Sequence, residues 1–272
     1  MYEGSVGIIG NGFVGNAIYT NLKNKTDCKV YDIDASKSVD SLDNVLGQDF
    51  IFVCLPSPMK PTGECDLSII YDFFNRIMNK NEPIYILKST VPIGTTQNLR
   101  GSFKIIHNPE FLTARNSAYD YAHADRNIIG GDKDLCNQFL YHFNKWFPEI
   151  PNLIVSSDES EAIKYFANVF LAHKVAFFNK VYDMCQKTGM TYENVRLGVA
   201  SDGRIGNSHT KVPGFDNDRG FGGSCFPKDL SSLINQFETL DIDAEIFRSV
   251  WKYNKQIRTV IDWTVSKNNK VS

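Results

Sequence analysis

Residues 5–15 read SVGIIGNGFVG. A short Val/Ile run ends in three glycines, Gly10, Gly12 and Gly15, in the spacing G-x-G-x-x-G. An apolar run closed by a glycine turn reads as a buried strand, and the stretch after it, NAIYTNLKN (16–24), reads as a helix. In that setting each glycine has a task. Gly10 permits the tight turn, Gly12 lets a pyrophosphate approach the backbone, and Gly15 lets helix and strand pack closely. The helix start, with Phe13 and Val14 in its first turn, offers partial positive charge to phosphates.

A second strand, KVYDID (29–34), puts Asp32 near the expected offset from the glycines. A carboxylate there hydrogen-bonds ribose hydroxyls and repels a 2′-phosphate, which favours NAD over NADP. Lys37 blurs that preference, because a nearby cation accepts such a phosphate. FAD uses the same entry, although nothing later in the chain favours it. The plain alternative is a structural turn beside a solvated strand end.

Outward from this turn the first half keeps alternating strand and helix. DFIFVCL (49–55), PIYILKS (83–89), FKIIHN (103–108) and RNIIGG (126–131) read as strands, and LSIIYDFFNRIMNK (67–80) as a helix. Continuous Val/Ile/Phe runs suit a sheet covered on both faces, so the expected fold is α/β, a Rossmann-type doubly wound parallel sheet. Near residue 150 the pattern changes. NLIVSS (152–157) closes the strands, and a long apolar-periodic helix is expected from Asp158 to about Gly189. Asp158 and Glu161 have capping-box spacing there. Another helix is expected over Tyr192–Ala200, then a Gly-rich loop over Ser201–Pro227, and two helices from about Asp229 to Phe237 and from about Ala244 onward. The expected division is an NAD-binding domain over 1–155 and an all-helical domain over 156–272.

The chain has 272 residues, formal charge −2 and 42% hydrophobic residues, enough for one core or two. No basic block points to nucleic acid or a membrane surface. No apolar run approaches the roughly 20 residues that span a bilayer, and MYEGSVGIIG lacks the basic start of an export signal. The expected location is therefore cytoplasmic. None of the six cysteines has C-x-x-C spacing, so no zinc site is expected and all six are read as reduced thiols, mostly buried. Cys225 stands apart, in GFGGSCFPKD (220–229), with glycines before it and Lys228 and Asp229 after it. A helix start near Pro227, or Lys228, would lower the pKa of such a thiol. A cysteine that only fills a core usually lies in an apolar element.

GNGFVG, LPSP (55–58), KSTVPIGT (88–95), NPEFL (108–112), IKYFANVFLAHKVAFFNKV (163–181), DGRIG (202–206) and GFGGSCFPKD occur in the order found in one family. The sequence resembles the UDP-glucose/GDP-mannose dehydrogenase family. The resemblance implies four-electron oxidation of a sugar nucleotide's primary alcohol to a carboxylate, using two NAD⁺ and a cysteine. UDP-glucose is the favoured substrate, with GDP-mannose and N-acetylated UDP-sugars left open. A thiolate can hold the carbon first as a thiohemiacetal and then as a thioester that water hydrolyses. That gives Cys225 its expected role.

By the same resemblance Lys164 and Asn168 stabilise an oxyanion and position water. They lie four residues apart and so share one helix face. Asp229 serves as base or water-orienting carboxylate, or as the cap of its helix. Thr90 and Glu110 follow strand ends and position water or assist proton transfer. Pro56, Ser89 and Thr90 line the cofactor's path. Phe111, Leu112 and the Gly220–Gly223 backbone, including Phe221, Gly222 and Gly223, contact the sugar nucleotide. So do Glu110, Lys164, Asn168 and Lys228, and Arg204 reaches across a homodimer made by the helical domain. Taken alone, Lys164 reads as a surface cation covering apolar area, Arg204 as a surface charge, and Thr90 and Glu110 as a turn hydroxyl and an exposed loop carboxylate.

Three departures from the family pattern stand out. Ala114 replaces a second glutamate one turn after Glu110. The loop from Arg204 to Cys225 is longer, with His209 and Asp216 in it. Family members also continue into a second Rossmann-like domain, whereas this chain is expected to end in a helix through VIDWTVSKNNKVS (260–272). The sequence is then either part of a longer chain or naturally short; if short, a separate chain would supply the missing half, and the apolar positions Ile246, Val250, Tyr253 and Ile257 would face a partner or a second copy, or pack within their own domain. Two rivals remain: a two-electron β-hydroxyacid-type dehydrogenase, which does not require Cys225, and a non-catalytic NAD-binding relative.

Overall fold

β1 (Val6–Ile9), β2 (Cys28–Tyr31), β3 (Phe50–Val53), β4 (Ile84–Leu87), β5 (Lys104–His107), β6 (Asn127–Gly131) and β7 (Asn152–Val155) form one sheet. Their order is β2-β1-β3-β4-β5-β6-β7. The structure is a computed structural model describing residues 4–263, with the side chain of Ala114 outside the described set. Successive side chains on a strand point to opposite faces, so Ile8, Phe52 and Ile86 join one core and Ile9, Ile51, Val53, Tyr85 and Leu87 the other. α1 (Phe13–Leu22) and α6 (Lys133–Trp146) cover the first face; α3 (Ser68–Arg76) covers the second, with α2 (Leu42–Leu46) and α4 (Thr95–Arg100) completing the helices up to residue 100.

All seven expected strands are present, but the sheet is not wholly parallel. β6 runs antiparallel to β5, pairing Ile106 with Gly131, and β7 is parallel to β6. A parallel return needs a crossover along the full strand. Here the intervening helix α5 (Ser117–Ala122) packs on α1 instead, so the chain enters β6 from the opposite end.

Strand order reverses at β1, which has β2 on one side and β3 on the other. Such a switch point opens a crevice beyond the carboxyl ends of the strands. The glycine turn occupies that end of β1. Gly10 has φ +90°, and a Cβ on Gly15 would lie 1.8 Å from the Gly10 oxygen.

α7 (Ser157–Thr188) starts two turns before Lys164, and its cap differs from the expected one. Ser156 Oγ accepts from Glu159 N–H at 3.2 Å, and Glu159 Oε2 accepts from Ser156 N–H at 2.8 Å. The capping box is therefore Ser156/Glu159, not Asp158/Glu161. Glu161 is engaged elsewhere: its carboxylate accepts from Gly94 N–H, Thr96 N–H and Thr96 Oγ1 at 2.6, 2.8 and 2.7 Å.

The chain divides into two compact units. One comprises the chain up to Ser57 with Leu67–Lys164; the other comprises Pro58–Asp66 and the chain from Tyr165 onward. In the second unit Tyr165, Val169 and Ala172 of α7 pack with Leu230, Leu233 and Ile234. Those last three belong to α9 (Phe226–Thr239), which follows α8 (Tyr192–Ala200) and precedes α10 (Glu245–Ile257). The Pro58–Asp66 arm closes on itself through Met59 and Cys65 and lies against α9, where a Cβ on Gly63 would come 2.2 Å from Ser231 Oγ. α10 ends at Ile257, and Arg258 is extended, so the helix does not run to residue 263 as expected; residues 264–272 lie outside the described residues. Among the described residues no helix is long and apolar enough to cross a membrane, and no His/Cys/Asp/Glu group has the makings of a metal site.

The glycine turn yields a stability test. Gly15→Ala drives a methyl into backbone oxygen and costs about 1–3 kcal/mol, read as a lower urea midpoint. Gly12→Ala, where a Cβ meets nothing within 4 Å, leaves the midpoint unchanged. Equal midpoints for the two variants would contradict this account of the turn.

Candidate active site

The first unit supplies a dinucleotide cradle. Gly12 is the N-cap of α1, with no side chain covering the helix start, and the space a Cβ would take there is open. Phe13 and Val14 follow in the first turn. Asp32, just past β2, accepts from Asn11 N–H at 2.6 Å and from Asp34 N–H at 2.8 Å, which fixes its carboxylate beside the turn. Lys37 pairs with Asp34 at 3.5 Å rather than with Asp32. An uncovered helix start, an open Gly12 and a held carboxylate on the neighbouring strand fit a dinucleotide's pyrophosphate and ribose.

Two turns beyond the strands are stitched together next to it. Ser89 is buried and donates to Leu55 O at 2.5 Å, and Ser57 Oγ donates to Thr90 O at 2.7 Å. Pro56 is exposed between the two tethered residues. Ser89 thus acts on its neighbouring turn through its hydroxyl.

Lys88, one residue earlier, is a buried cation that the sequence reading passed over. Its Nζ donates to Asn108 Oδ1 at 2.9 Å. Asn108 donates in turn to Asn127 Oδ1 at 2.7 Å and to Ile128 O at 2.5 Å. Burial pulls the Lys88 ammonium down to about 8, against the opposing pull of Cys54 and Glu110. The chain locks the Asn108–Leu112 turn onto β6. A lysine closing an otherwise apolar strand was the signal available for it.

Glu110 and Lys164 meet on that turn. Lys164 is buried, donates to Glu110 O at 2.5 Å and lies 3.5 Å from Glu110 Oε1. Glu110 Oε2 accepts from Leu112 N–H at 2.8 Å. Phe111 has the Lys164 ammonium 5.1 Å from its ring centroid and the Arg126 guanidinium at 4.2 Å. A cavity of about 280 Å³ opens here, lined by Glu110, Phe111, Leu112, Lys88, Tyr121 and Arg126. The Tyr121 hydroxyl in its wall is buried with no hydrogen-bond partner among the described residues. Ala114 begins a 3-10 turn farther along the same loop.

The second unit presents the thiol. Cys225 is exposed, while Cys65, Cys136 and Cys185 are buried and Cys28 and Cys54 half-buried, all as free thiols. Cys225 is itself the N-cap of α9, with its carbonyl accepting from Asp229 N–H at 2.8 Å. The helix therefore begins at the cysteine, and Asp229 lies inside its first turn rather than capping it. The partial positive charge of the helix start lies beside the sulfur.

Behind the cysteine a buried polar group of three closes. Asn168 Nδ2 donates to Asp229 Oδ2 at 2.6 Å, and Lys228 Nζ donates to Asp229 Oδ1 at 2.5 Å. Burial works to lower the Lys228 ammonium, but the adjoining Asp229 carboxylate, helped by Cys65 and Cys225, holds it above its ordinary value. The Lys228 ammonium is thus committed first to Asp229.

Other candidates are placed differently from expectation. The Phe221 ring is buried in the helical core, so its backbone alone remains for a ligand. Gly222 is small because a Cβ would lie 2.1 Å from the Arg258 guanidinium; Gly223, with φ +74°, has nothing within 4 Å. Arg204 is 90% exposed and pairs with Asp202 at 2.6 Å. It borders an apolar groove of about 580 Å³ formed with Phe170, Phe177, Ile205, Val250 and Tyr253. His209 is exposed, its ring lies 5.5 Å from that of Phe226, and partial desolvation of the imidazole lowers its pKa. Asp216 pairs with Arg258 at 2.7 Å.

An α/β unit with a dinucleotide cradle, followed by a helical unit with a presented thiol, is the layout of an NAD-linked dehydrogenase. Residues 38–147 match the NAD binding domain of the UDP-glucose/GDP-mannose dehydrogenase family and residues 158–256 its central domain, and the chain belongs to that family. It is 36% identical over 217 residues to UDP-glucose 6-dehydrogenase of Rickettsia conorii, covering 76% of this chain and 49% of the relative. It is 34% identical over 226 residues to UDP-glucose 6-dehydrogenase YwqF of Bacillus subtilis, covering 78% and 50%. The chain thus spans about half the length of these curated relatives. The solved UDP-glucose dehydrogenase of Pyrobaculum islandicum superposes with TM-score 0.84 at 25% identity, over 93% of this chain and 68% of that one. A 3-hydroxyisobutyrate dehydrogenase of Mycobacterium tuberculosis shares the fold at 16% identity and TM-score 0.72, over 97% of each chain.

Glu161 gives this region a pH signature. Burial raises its carboxyl from 4.5 to about 7, against the three hydrogen bonds it accepts. The folded state then holds this proton more tightly than the unfolded chain. That stabilisation is complete below pH 4.5 and is lost as the pH rises through about 7. The stability difference between the parent and Glu161→Gln therefore falls across that window, measured by urea denaturation at several pH values. A difference that stays constant would contradict the burial argument.

Proposed function

We propose that this chain oxidises the primary alcohol of a sugar nucleotide to a carboxylate with NAD, and that UDP-glucose is the substrate. One observation carries the reading: an exposed cysteine begins α9 with a buried Asn168–Asp229–Lys228 group directly behind it. The curated relatives named UDP-glucose 6-dehydrogenase support the choice of substrate.

When bound, NAD supplies the hydride acceptor for both oxidations. The chain's own residues do the rest. Loss of a hydride and a proton turns the alcohol into an aldehyde, which would otherwise be free to escape. The Cys225 sulfur adds to the carbonyl carbon, forming a C–S bond and a thiohemiacetal. Loss of a second hydride and the hydroxyl proton leaves a thioester. Water then adds, the C–S bond breaks, and the carboxylate departs with the thiol restored.

Each intermediate passes through an oxygen carrying negative charge. Lys164 and Asn168 are the donors for it, an ammonium and an amide preorganised on one helix face. Asp229, its two oxygens held by Asn168 and Lys228, is an oriented acceptor for the proton of the attacking water. Thr90 and Glu110 serve the proton path, with Glu110 set by Lys164 and by the Leu112 amide. Gly10, Gly12, Gly15 and Asp32 hold the dinucleotide, and the Phe111–Leu112 and Gly220–Gly223 backbones receive the sugar.

The chain acts as a homodimer in this reading. Phe170 and Phe177 are 68% and 58% exposed along the apolar groove, and Arg204 stands at its rim. Covering such surface is favourable in water. The reduced thiols suit a cytoplasmic location.

Cys225→Ser tests the chemistry. NADH formation from UDP-glucose reaches two per sugar in the parent, and acid formation falls by roughly three orders of magnitude in the variant. Undiminished turnover in the variant would point to a two-electron dehydrogenase. NAD⁺ binding by calorimetry without sugar-dependent NADH in the parent would point to a non-catalytic relative.

A further inference from the structure

Asn254, on the last turns of α10, is fully buried and makes a closed pair with one backbone residue. Phe221 N–H donates to its Oδ1 at 2.8 Å, and its Nδ2 donates to Phe221 O at 2.9 Å. The carboxamide thus treats Phe221 as a neighbouring strand would. Phe221 is four residues ahead of Cys225, whereas Asn254 is 29 residues beyond it.

The glycines of this loop fit that seat. Gly220 has φ +68°, and a Cβ there would lie 2.3 Å from Asn254 Oδ1. Gly222 faces the Arg258 guanidinium one helical turn after Asn254. Arg258 is itself buried and donates to Asp216 Oδ2 at 2.7 Å and to Arg219 O at 3.4 Å. Asp218 accepts from Val260 N–H at 2.9 Å, so the stretch from 216 to 222 is fastened along the end of α10. Beyond Gly222, a Cβ on Gly223 would meet nothing within 4 Å, and Cys225 is exposed. The loop is held on one side of the thiol by α10 and on the other by the start of α9.

We propose that Asn254 is a positioning residue for the catalytic cysteine: its paired contact with Phe221 fixes the point from which Cys225 is presented. The inference rests on the reading of Cys225 as the nucleophile. Only a carboxamide satisfies both Phe221 groups. Aspartate keeps the acceptor but sets a carboxylate oxygen against the Phe221 carbonyl, and leucine leaves both backbone groups unpaired in the core.

The test compares the parent chain with Asn254→Asp. Three quantities are read: iodoacetamide modification of Cys225 by peptide mass spectrometry with Cys28 as internal reference, melting temperature, and NADH formed per UDP-glucose. A folded variant is expected to change its Cys225 modification rate by about fivefold, the scale of one net hydrogen bond. Its Cys28 rate stays fixed, and its NADH yield falls from two toward one as aldehyde escapes capture, with KM little changed. A folded variant matching the parent in Cys225 rate and NADH yield would overturn the proposal. Should the variant not fold, hydrogen exchange on the parent decides: the Phe221 amide exchanges far more slowly than those of Gly223 and Ser224, and equal rates would overturn the proposal. Cys225→Ser run in parallel separates the two ideas. If it still yields two NADH, the nucleophile reading fails, and the modification rate alone judges the Asn254 contact.

Discussion

A buried ammonium needs a partner, because leaving it unpaired away from water costs several kcal/mol. Lys164 meets that demand through the carbonyl and carboxylate of Glu110. One turn along α7, Asn168 meets the lesser demand of a buried amide through Asp229. Two consecutive turns of one helix thus carry two polar side chains that the protein cannot bury without also fixing a second segment. In the α/β unit the fixed segment is the Asn108–Leu112 turn. In the helical unit it is the first turn of α9, and with it Cys225.

The same economy governs both loops. The Asn108–Leu112 turn is anchored from below by Lys88 and Asn108 and from above by Lys164. The cysteine loop is anchored by Asn254 and Arg258 before the thiol and by the helix start after it. Both are irregular segments held by side-chain hydrogen bonds, which sets Glu110, largely covered, and Cys225, exposed, on stiff supports.

Much of this was readable in the residues. The central strands β1, β3 and β4 were announced by apolar runs because they are buried on both faces, while the edge strands β2 and β7 are only partly covered. Strand direction was not readable, since an apolar run has no polarity and only the packing of α5 on α1 reversed β6. The expected cap pair is Asp158 and Glu161, and local spacing does not show which distant donors a carboxylate will meet. The donors of residues 94–96 claimed Glu161 and left the cap to Ser156 and Glu159. The Cys225 context stood out because glycines, a cation and a carboxylate rarely cluster without reason. Asn254 and Lys88 were missed because their partners are distant in sequence, and an asparagine in a polar helix looks solvated until its neighbour across the fold is known.

The central claim is that the Cys225 sulfur carries the substrate carbon between two oxidations. Acid quenching of the protein during turnover with NAD⁺ and UDP-glucose, followed by peptide mass spectrometry, addresses it directly. The account predicts an oxidised UDP-sugar attached to the peptide containing Cys225 and removed by hydroxylamine, as a thioester is. Turnover to the acid with that peptide unmodified at every quench time would contradict it.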